Sequence, residues 1–297
     1  MTTNHRVLMV VNPISGGIDK EPIIDHVTKT LEDQEGTLKI YKTSGERDKE
    51  ELTKIIKEYQ PNRIFAVGGD GTIKLIAEII TDDPVPLGIF PAGSANGLAE
   101  NLDIPRDIPE MTKIALGNHF IYLDTITVNH ELCLHISDIG LNAALIKNYE
   151  EGNIRGKLGY LIQSIPTLIE SDFPFQFKID KEGKTLHRKA VLVGIANARR
   201  YGTGSTINPK GKYDDGKFEI LVFKKFNIPQ ILQTFREDAE LDEDFVEIFS
   251  ASEIDIECDK NIPFQVDGEY RGEVKKVSAK ISDFKIRIAV PEKKTGI

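Results

Sequence analysis

The first third of the sequence alternates short apolar runs with amphipathic stretches, and this alternation restricts the possible folds more than any other feature. The predicted strands are residues 7–11, 37–41, 63–67 and 86–90. The predicted helices, in which apolar residues recur at helical spacing, are residues 20–33, 48–59 and 72–80. Strands and helices that alternate in this way form βαβ units and therefore a parallel sheet. Right-handed crossovers then place every strand-to-helix loop at the carboxyl edge of that sheet.

From about residue 120 onward the pattern changes, and short strands separated by turn signals dominate. The predicted strands are residues 121–128, 132–137, 175–179, 190–196, 218–223, 254–257, 264–266 and 285–290. Helical patterns interrupt them at about 141–150, 157–170 and 228–238. We therefore predict an α/β N-terminal domain with a parallel sheet (1–125) and a mainly antiparallel β-sandwich domain (126–284), with strand 285–297 returning to the first. No flexible linker separates the two, so we expect them to pack closely around a cleft.

Three glycine-rich loops follow predicted strands of the first domain, at residues 12–17, 68–72 and 91–97. Glycine allows positive φ and close backbone approach, so backbone amides in such loops can point at phosphate oxygens. Helices that follow the second and third loops add the positive ends of their dipoles. Asp70 would repel phosphate unless a divalent cation lies between them, so the loops predict a phosphate–metal site. We expect the Asp70 carboxylate to have no packing role.

The composition excludes several classes of function. The net charge of −9 argues against nucleic acid as a partner, because phosphate neutralisation needs clustered Lys and Arg. The two cysteines, Cys133 and Cys258, lie far apart without metal-binding spacing, which excludes a disulfide framework and fits a reducing compartment. The first residues show no secretory signal, and no apolar run reaches the roughly 18 residues of a membrane span. We therefore expect a cytoplasmic protein.

The three loops resemble, in this order, the signature of the diacylglycerol kinase catalytic-domain family. The matching motifs are Asn12-Pro13-x-Ser15-Gly16, Gly68-Gly69-Asp70-Gly71-Thr72 and Pro91-x-Gly93-Ser94-x-Asn96. The family includes bacterial lipid kinases and the sphingosine and ceramide kinases, and it shares the second motif with NAD kinases and 6-phosphofructokinases. The likeness continues through residues 156–160, 214–216 and 267–269 and covers essentially the whole chain.

The resemblance implies an ATP- and Mg²⁺-dependent lipid kinase with an NAD kinase/phosphofructokinase-like first domain. The implied nucleotide contacts are Asn12, Pro13, Ile14, Ser15, Gly16, Thr43, Gly68, Gly69, Asp70, Gly71, Thr72, Ile73, Lys74 and Ser94. Glu269 matches the general base that takes the proton from the lipid hydroxyl. Asp215 matches the carboxylate of a structural Mg²⁺ site, together with the carbonyls of Lys212 and Lys217. Two positions depart from the usual pattern, because Lys74 replaces an Asn and Ser94 replaces a Thr.

The chemistry of phosphoryl transfer assigns separate tasks to the two carboxylates. Transfer depends mainly on positioning and charge stabilisation, so the loops would hold the nucleotide phosphates. Asp70 can hold the catalytic Mg²⁺ through water, and Glu269 needs only to accept a proton late in the transfer. Without the family likeness, Glu269 reads as a surface residue after an Asp-Gly hairpin turn.

The acceptor is less well defined by the sequence. The apolar face of the predicted helix 157–170 would either pack in the core or line the entry of a lipid at the membrane surface. A basic cluster (Arg199, Arg200, Lys210 and Lys212) would face headgroups, nucleotide phosphates or solvent. We expect diacylglycerol or a related long-chain lipid as acceptor. The alternatives are an NAD kinase, which lacks the first and third motifs, and a regulator that binds nucleotide or lipid without catalysis.

Overall fold

The computed structural model describes residues 5–81, 85–94, 96–151, 173–181, 184–197, 200–201, 205–206, 212–225, 227 and 242–292. The chain divides into two compact units, Met1–Leu123 with Asp283–Ile297 and Asp124–Ser282. We refer to them as the N-terminal and the C-terminal unit. The predicted boundaries lie two residues later in each case. The chain passes from one unit to the other twice, within strand β5 (Phe120–Val128) and within strand β16 (Glu269–Ala289).

The N-terminal unit is built from alternating strands and helices. Its strands before β5 are β1 (Arg6–Val11), β2 (Thr37–Lys42), β3 (Arg63–Gly68) and β4 (Leu87–Pro91). Its α-helices are α1 (Glu21–Asp33), α2 (Asp48–Tyr59), α3 (Asp70–Ala77), α4 (Gly97–Asn101) and α5 (Ile108–Leu116), and a 3₁₀ turn covers Ser15–Gly17. The strands pair in parallel in the order β2-β1-β3-β4, and Ile288 of β16 pairs in parallel with Leu87 of β4. The predicted parallel sheet is confirmed.

The burial pattern explains why this alternation folds as it does. Strand β1 is central in the sheet, and residues 7–10 are completely buried because helices and neighbouring strands cover both of its faces. Helix α1 buries Ile23, Val27 and Leu31, which recur at helical spacing along one face. The sequence reading missed helix α5, which follows Asp107 and packs against β4. Its start carries a recognisable signal, since the Asp107 carboxylate accepts a hydrogen bond from the Glu110 amide at 3.0 Å.

The C-terminal unit consists mainly of strands. They are the end of β5, β6 (Glu131–Cys133), β7 (Ile136–Gly140), β8 (Phe175–Lys181), β9 (Lys184–Ala190), β10 (Leu192–Ala196), β11 (Arg200–Tyr201), β12 (Ser205–Thr206), β13 (Phe218–Phe223), β14 (Val246–Ala251), β15 (Glu253–Val266) and the start of β16. Helix α6 covers Leu141–Glu151. The strands pair antiparallel in the order β14-β13-β10-β7-β15-β16, and β8 joins β15 to β9. Phenylalanines at 173, 175, 177, 218 and 264 dominate its core. The predicted antiparallel domain is confirmed.

Several predicted strands have different bounds in the structure. The segment 132–137 is two strands, because the chain turns at residues 134–136 to direct three backbone amides at the Asp267 carboxylate. The segments 254–257 and 264–266 belong to one strand, β15, whose pairing with β16 shifts register between Glu257 and Ile262. The segment 190–196 spans the end of β9 and all of β10. The predicted helices 157–170 and 228–238 lie outside the described residues.

Candidate functional site

A pocket of about 330 Å³ lies in the N-terminal unit, where the loops at the carboxyl ends of β1 and β2 meet the start of α3. Its lining residues are Asn12, Pro13, Ile14, Thr43, Ser44, Gly45, Asp48, Gly71, Thr72 and Leu75. Six of these positions belong to the predicted nucleotide contacts, namely Asn12, Pro13, Ile14, Thr43, Gly71 and Thr72. The structure therefore brings residues from three separate segments of the sequence to one cavity at the predicted edge of the sheet.

The first glycine-rich loop is fixed to the third one by a serine and a glycine. The Ser15 hydroxyl donates a hydrogen bond to the Ala92 carbonyl at 3.0 Å. Gly16 has a φ of +60°, and a Cβ at this position would lie 2.6 Å from the same carbonyl oxygen. Only glycine combines this backbone conformation with so close an approach. Ser15 and Gly16 therefore shape the site from outside the described pocket lining.

A lysine that the sequence reading missed supports the first loop. Lys20 is buried, and its ammonium group donates hydrogen bonds to the carbonyls of Ser15 and Ile18, the latter at 2.7 Å. A buried ammonium requires such acceptors, because removing it from water is otherwise unfavourable. The cation thus lies beneath the loop, whereas Ile14 on that loop is 87% exposed. No local sequence motif predicts this role of Lys20, because the role depends on how the loop folds over the side chain.

The second glycine-rich loop packs tightly against the helix that follows it. A Cβ on Gly68 would lie 2.2 Å from the Thr72 hydroxyl oxygen, so this position has no room for a side chain. Ile73 and Lys74 are buried in α3, and Gly68 and Gly69 are likewise outside the described lining of the pocket. Lys74 is only 7% exposed. The pocket-facing residues of this loop are therefore Gly71 and Thr72.

The carboxylate of Asp70 has a structural role that we did not expect from the sequence. Its two oxygens accept hydrogen bonds from the amides of Gly97 at 2.8 Å and Leu98 at 3.1 Å. These amides begin helix α4 and would otherwise lack partners within the helix. The expectation that Asp70 has no packing role was wrong. The end of the third loop lies beside the second loop, and backbone amides there donate hydrogen bonds to the Asp70 carboxylate. Its predicted role in holding Mg²⁺ through water stays a prediction.

The third loop is closed by its own asparagine. The Asn96 side chain accepts a hydrogen bond from the Gly93 amide and donates one to the Gly93 carbonyl, both at 2.9 Å. Ser94 in the same loop is exposed and lies outside the described lining of the pocket. Its predicted nucleotide contact therefore stays a prediction.

The far wall of the pocket contains four residues that the sequence reading missed, Ser44, Gly45, Asp48 and Leu75. The Asp48 carboxylate accepts hydrogen bonds from the amides of Ser44 at 2.9 Å and Gly45 at 2.8 Å and from the Tyr41 hydroxyl at 2.7 Å. Burial alone would raise the pKa of Asp48, but these hydrogen bonds outweigh it and hold the pKa below its ordinary value. Burial and the bond to Asp48 raise the pKa of Tyr41 to about 12.

In the C-terminal unit, the predicted base Glu269 follows a tight turn between β15 and β16. Asp267 and Gly268 have φ values of +51° and +85°, as a two-residue type I′ hairpin requires. The Asp267 carboxylate accepts hydrogen bonds from the amides of residues 134, 135 and 136 at 3.1, 2.9 and 3.2 Å. Gln265 accepts one from the Gly268 amide at 2.7 Å and donates one to the buried Asp138 carboxylate at 2.6 Å. The turn before Glu269 is therefore fixed by the hydrogen bonds of both Asp267 and Gln265.

The carboxylate of Glu269 is accessible and paired with a cation. Its side chain is 52% exposed, and one of its oxygens accepts a hydrogen bond from the Arg271 guanidinium. Arg271 also donates to the carboxylate of Glu131 at 2.6 Å. Burial alone would lower the pKa of Arg271, but the ion pairs with Glu131 and Glu269 outweigh it and raise the pKa. Neither Glu131 nor Arg271 was predicted as a site residue.

The predicted metal residues lie together in the loop before β13, also in the C-terminal unit. Lys212, Asp215 and Lys217 are exposed, and the Asp215 carboxylate accepts a hydrogen bond from the Lys217 amide at 3.2 Å. The buried Asp124 carboxylate anchors this loop by accepting a hydrogen bond from the Gly216 amide at 2.6 Å. Within the part of the chain that the structure describes, no three His, Cys, Asp or Glu residues are grouped as metal ligands. A cation here would therefore combine the single Asp215 carboxylate with backbone carbonyls and water.

Two further predictions fall mainly on residues that are not described. Of the basic cluster, Arg199 and Lys210 lie outside the described residues, as does the side chain of Arg200, and Lys212 is exposed. The predicted lipid-facing or core helix 157–170 also lies outside them. Among the helices described here, none is both long enough and apolar enough to cross a membrane.

Comparison with known proteins agrees with this geometry along nearly the whole chain. Residues 6–128 match the family described as "Diacylglycerol kinase catalytic domain". Residues 136–289, more than half of the chain, match the "YegS C-terminal NAD kinase beta sandwich-like domain". The first match contains all three glycine-rich loops, and the second contains the loop at 212–217 and the turn before Glu269.

Individual relatives give the same assignment. The chain is 28% identical over 215 residues to the "Probable lipid kinase YegS" of Escherichia coli O1:K1 / APEC, and the alignment covers 69% of this chain and 71% of that protein. The same values hold for the YegS protein of Shigella boydii serotype 18.

Solved structures share the fold. A crystal structure of a diacylglycerol kinase from Bacillus anthracis str. Sterne matches with a TM-score of 0.73 at 22% identity, covering 98% of each chain. An NAD kinase from Archaeoglobus fulgidus in complex with ATP matches with a TM-score of 0.53 at 14% identity, covering 97% of this chain and 94% of that one. Together, the sequence motifs, the two-unit fold and the family matches show that this chain belongs to the diacylglycerol kinase catalytic-domain family, a family of phosphoryl-transferring enzymes whose second domain is of the YegS type.

Proposed function

We propose that the protein is an ATP- and Mg²⁺-dependent lipid kinase that phosphorylates the hydroxyl of diacylglycerol or a related long-chain lipid. The observation that carries the proposal is the pocket of about 330 Å³ that residues of the first two glycine-rich loops and of the segment 43–48 line in a chain of this family. The names of the relatives support a lipid acceptor, since they are described as lipid and diacylglycerol kinases. The lipid would be met at a membrane surface, and nucleic acid is not a proposed partner.

The nucleotide is proposed to occupy this pocket with its phosphates at the start of α3. Gly71 and Thr72 lie in the first turn of that helix and line the pocket. The positive end of a helix dipole and its backbone amides favour anionic groups at this position. Asn12 and Thr43 would hold the nucleotide from the two neighbouring loops. The cation of Lys20, fixed beneath the first loop, adds to the favourable potential for phosphate.

The lipid hydroxyl is proposed to transfer its proton to Glu269. As the hydroxyl oxygen forms a bond to the γ-phosphorus, the bond from that phosphorus to the β-γ bridging oxygen breaks and ADP leaves. The proton of the hydroxyl passes to the Glu269 carboxylate, which is exposed and paired with Arg271. For this step, the hydroxyl must lie within hydrogen-bond reach of Glu269.

Two positions are proposed for Mg²⁺, and the residues present fit it differently. Bound to the phosphates, Mg²⁺ neutralises the charge that develops during transfer. Both oxygens of Asp70 already accept amide hydrogen bonds, so this carboxylate would hold the ion through water. At the second position, the exposed Asp215 carboxylate and the carbonyls of Lys212 and Lys217 form an all-oxygen donor set, which suits this hard cation.

The decisive experiment is a phosphoryl-transfer assay with γ-labelled ATP, Mg²⁺ and a panel of long-chain lipids in detergent micelles. We expect labelled phospholipid from at least one lipid, formed roughly 10²–10⁴-fold more slowly when Glu269→Gln replaces the wild type. Glu273→Gln is the matched control, because Glu273 lies on the same strand and also forms an ion pair, with Lys147 at 3.2 Å. Labelled NADP from added NAD, without any labelled lipid, would contradict the proposal and support an NAD kinase. ATP binding without transfer to any acceptor would support a non-catalytic regulator.

A further inference from the structure

In the C-terminal unit, Arg271 of β16 lies between two carboxylates and binds both of them. One belongs to Glu131 of β6 and the other to Glu269, the proposed base. The Arg271 guanidinium donates through Nε to the Glu131 carboxylate at 2.6 Å and through a terminal nitrogen to the Glu269 carboxylate. The three side chains are partly exposed, at 39% for Glu131, 30% for Arg271 and 52% for Glu269. Arg271 therefore bridges two carboxylates that are 138 residues apart in the sequence.

The backbone fixes the relative positions of these side chains. Glu269 and Arg271 are two residues apart in β16, so they project from the same face of the strand. Glu131 lies in β6, immediately before the segment whose three amides bind the Asp267 carboxylate. The turn before Glu269 is thus tied to the segment that follows Glu131. The hydrogen bonds of Asp267 therefore hold Glu131 and Glu269 at the separation that the Arg271 guanidinium bridges.

We propose that Arg271, held by Glu131, is a positioning residue that orients the Glu269 carboxylate for proton transfer. This inference rests on the proposed function, because it assigns Arg271 a role through Glu269. A half-exposed glutamate has three rotatable bonds, and a guanidinium bound to one carboxylate oxygen restricts them. The other oxygen stays available to accept the proton. Glu131 prevents the guanidinium from moving away, since arginine can use two nitrogens in a fixed geometry.

The other charged groups at this turn have separate partners. Asp267 binds backbone amides, and Lys147 pairs with Glu273 and lies over the ring of Tyr270 at 5.6 Å. Among the described residues, Arg271 is therefore the cation that an ion pair joins to Glu269.

The inference predicts a specific kinetic defect for Arg271→Gln. We expect kcat to fall roughly tenfold, because misplacing a reacting group by about 1 Å costs up to 10²-fold, and the KM for ATP to stay unchanged. Arg271→Lys should restore kcat only in part, because lysine cannot bridge both carboxylates. Glu131→Gln should lower kcat a few-fold, again with the KM for ATP unchanged.

Arg188→Gln is the matched control. Arg188 forms an ion pair with Glu247 at 3.0 Å in the same unit, its side chain is 33% exposed, and it contacts neither Glu131 nor Glu269. We expect this variant to keep the wild-type kcat and the wild-type KM for ATP. A melting curve for each variant confirms that it is folded at the assay temperature. If Arg271→Gln does not fold, Arg271→Lys and Glu131→Gln carry the test.

A double-mutant comparison separates positioning from a structural role. In the Glu269→Gln background, Arg271→Gln should cause no further loss of kcat, because its effect passes through Glu269. The inference would be overturned if Arg271→Gln lowered kcat by the same factor in the wild-type protein and in the Glu269→Gln variant. It would also be overturned if the kinetics of Arg271→Gln were identical to those of Arg188→Gln. Either result would leave the proposed function intact. A wild-type protein that transfers phosphate to no acceptor would instead overturn the proposed function, and the role of Arg271 with it.

Discussion

Each unit contributes one carboxylate to the proposed chemistry, Asp70 from the N-terminal unit and Glu269 from the C-terminal unit. Asp70 lies inside the glycine-rich motif that is the most recognisable part of the sequence, yet both of its oxygens are bound to the amides that begin α4. Glu269 follows an ordinary hairpin turn, and among the described residues its exposed carboxylate pairs with Arg271. Under the proposed function, the recognisable motif therefore combines folding and chemistry in one residue, whereas the plain turn carries a side chain that serves chemistry alone.

The largest expected effect is that of Glu269→Gln. The amide keeps the shape of the side chain but cannot accept the proton, so kcat should fall by roughly 10²–10⁴. The melting temperature should change little, because a half-exposed ion pair contributes only about 0–1 kcal/mol. Steady-state kinetics and a melting curve on the same preparation test both parts. A wild-type kcat, or a defect confined to the KM for ATP, would remove Glu269 from the mechanism.

Asp70→Asn should lower kcat by less than the roughly 10⁴-fold upper end expected for Glu269→Gln. It should also lower the stability of the fold. Loss of the charge should reduce kcat by at least roughly 10²-fold. The amide offers one acceptor where the carboxylate offers two, so the start of α4 should lose about 1 kcal/mol. Activity at saturating Mg²⁺ and thermal melting without Mg²⁺ measure the two effects separately. Normal melting with low activity would show that the bonds to Gly97 and Leu98 do not matter for stability.

Asp215→Ala tests whether the C-terminal unit also has a carboxylate with a purely structural task. A resident cation stabilises the folded state by mass action, by about 2.7 kcal/mol at a hundredfold excess over Kd. The variant should lose most of the rise in melting temperature that Mg²⁺ gives the wild type, while the KM for ATP changes little. Titration of both proteins with Mg²⁺ in a thermal melt provides the measurement. Identical responses would place the site elsewhere.

The smallest expected effects concern the pocket wall. Tyr41→Phe removes the hydroxyl that donates to Asp48 and should cost about 1 kcal/mol. Because the pKa of Asp48 is lower in the folded protein, its contribution is present above the unfolded pKa and is lost as pH falls through the folded pKa. Asp48→Asn should therefore reduce the drop in melting temperature between pH 7 and about pH 3. An unchanged pH dependence would show that the hydrogen bonds at Asp48 do not lower its pKa.

The sequence predicted those features that depend on neighbouring residues. Apolar periodicity predicted the strands of the parallel sheet. The glycine-rich loops pointed to Asn12 and Thr72 and the family resemblance to Thr43, and all three residues line the pocket. The features that it missed join residues far apart in the chain, as when Asp70 meets Gly97 or Arg271 meets Glu131. Such pairs leave no local pattern, because the intervening fold decides which donor reaches which acceptor. Asp48 was missed for a related reason. Its place in the pocket wall depends on the loop at Ser44 and Gly45, whose amides bind its carboxylate.

The order in which the ribosome delivers the strands has a consequence for how this protein folds. Ile288 pairs with Leu87, the Val290 amide donates to the His119 carbonyl at 3.1 Å, and the Arg287 guanidinium stacks 3.9 Å from the centre of the Phe120 ring. These contacts complete the unit that begins the chain, but they come from residues synthesised after the whole of the C-terminal unit. The parallel sheet must therefore wait for translation of about 160 further residues, and at roughly 5–20 residues per second its edge strand β4 stays uncovered for about ten seconds or more on the nascent chain.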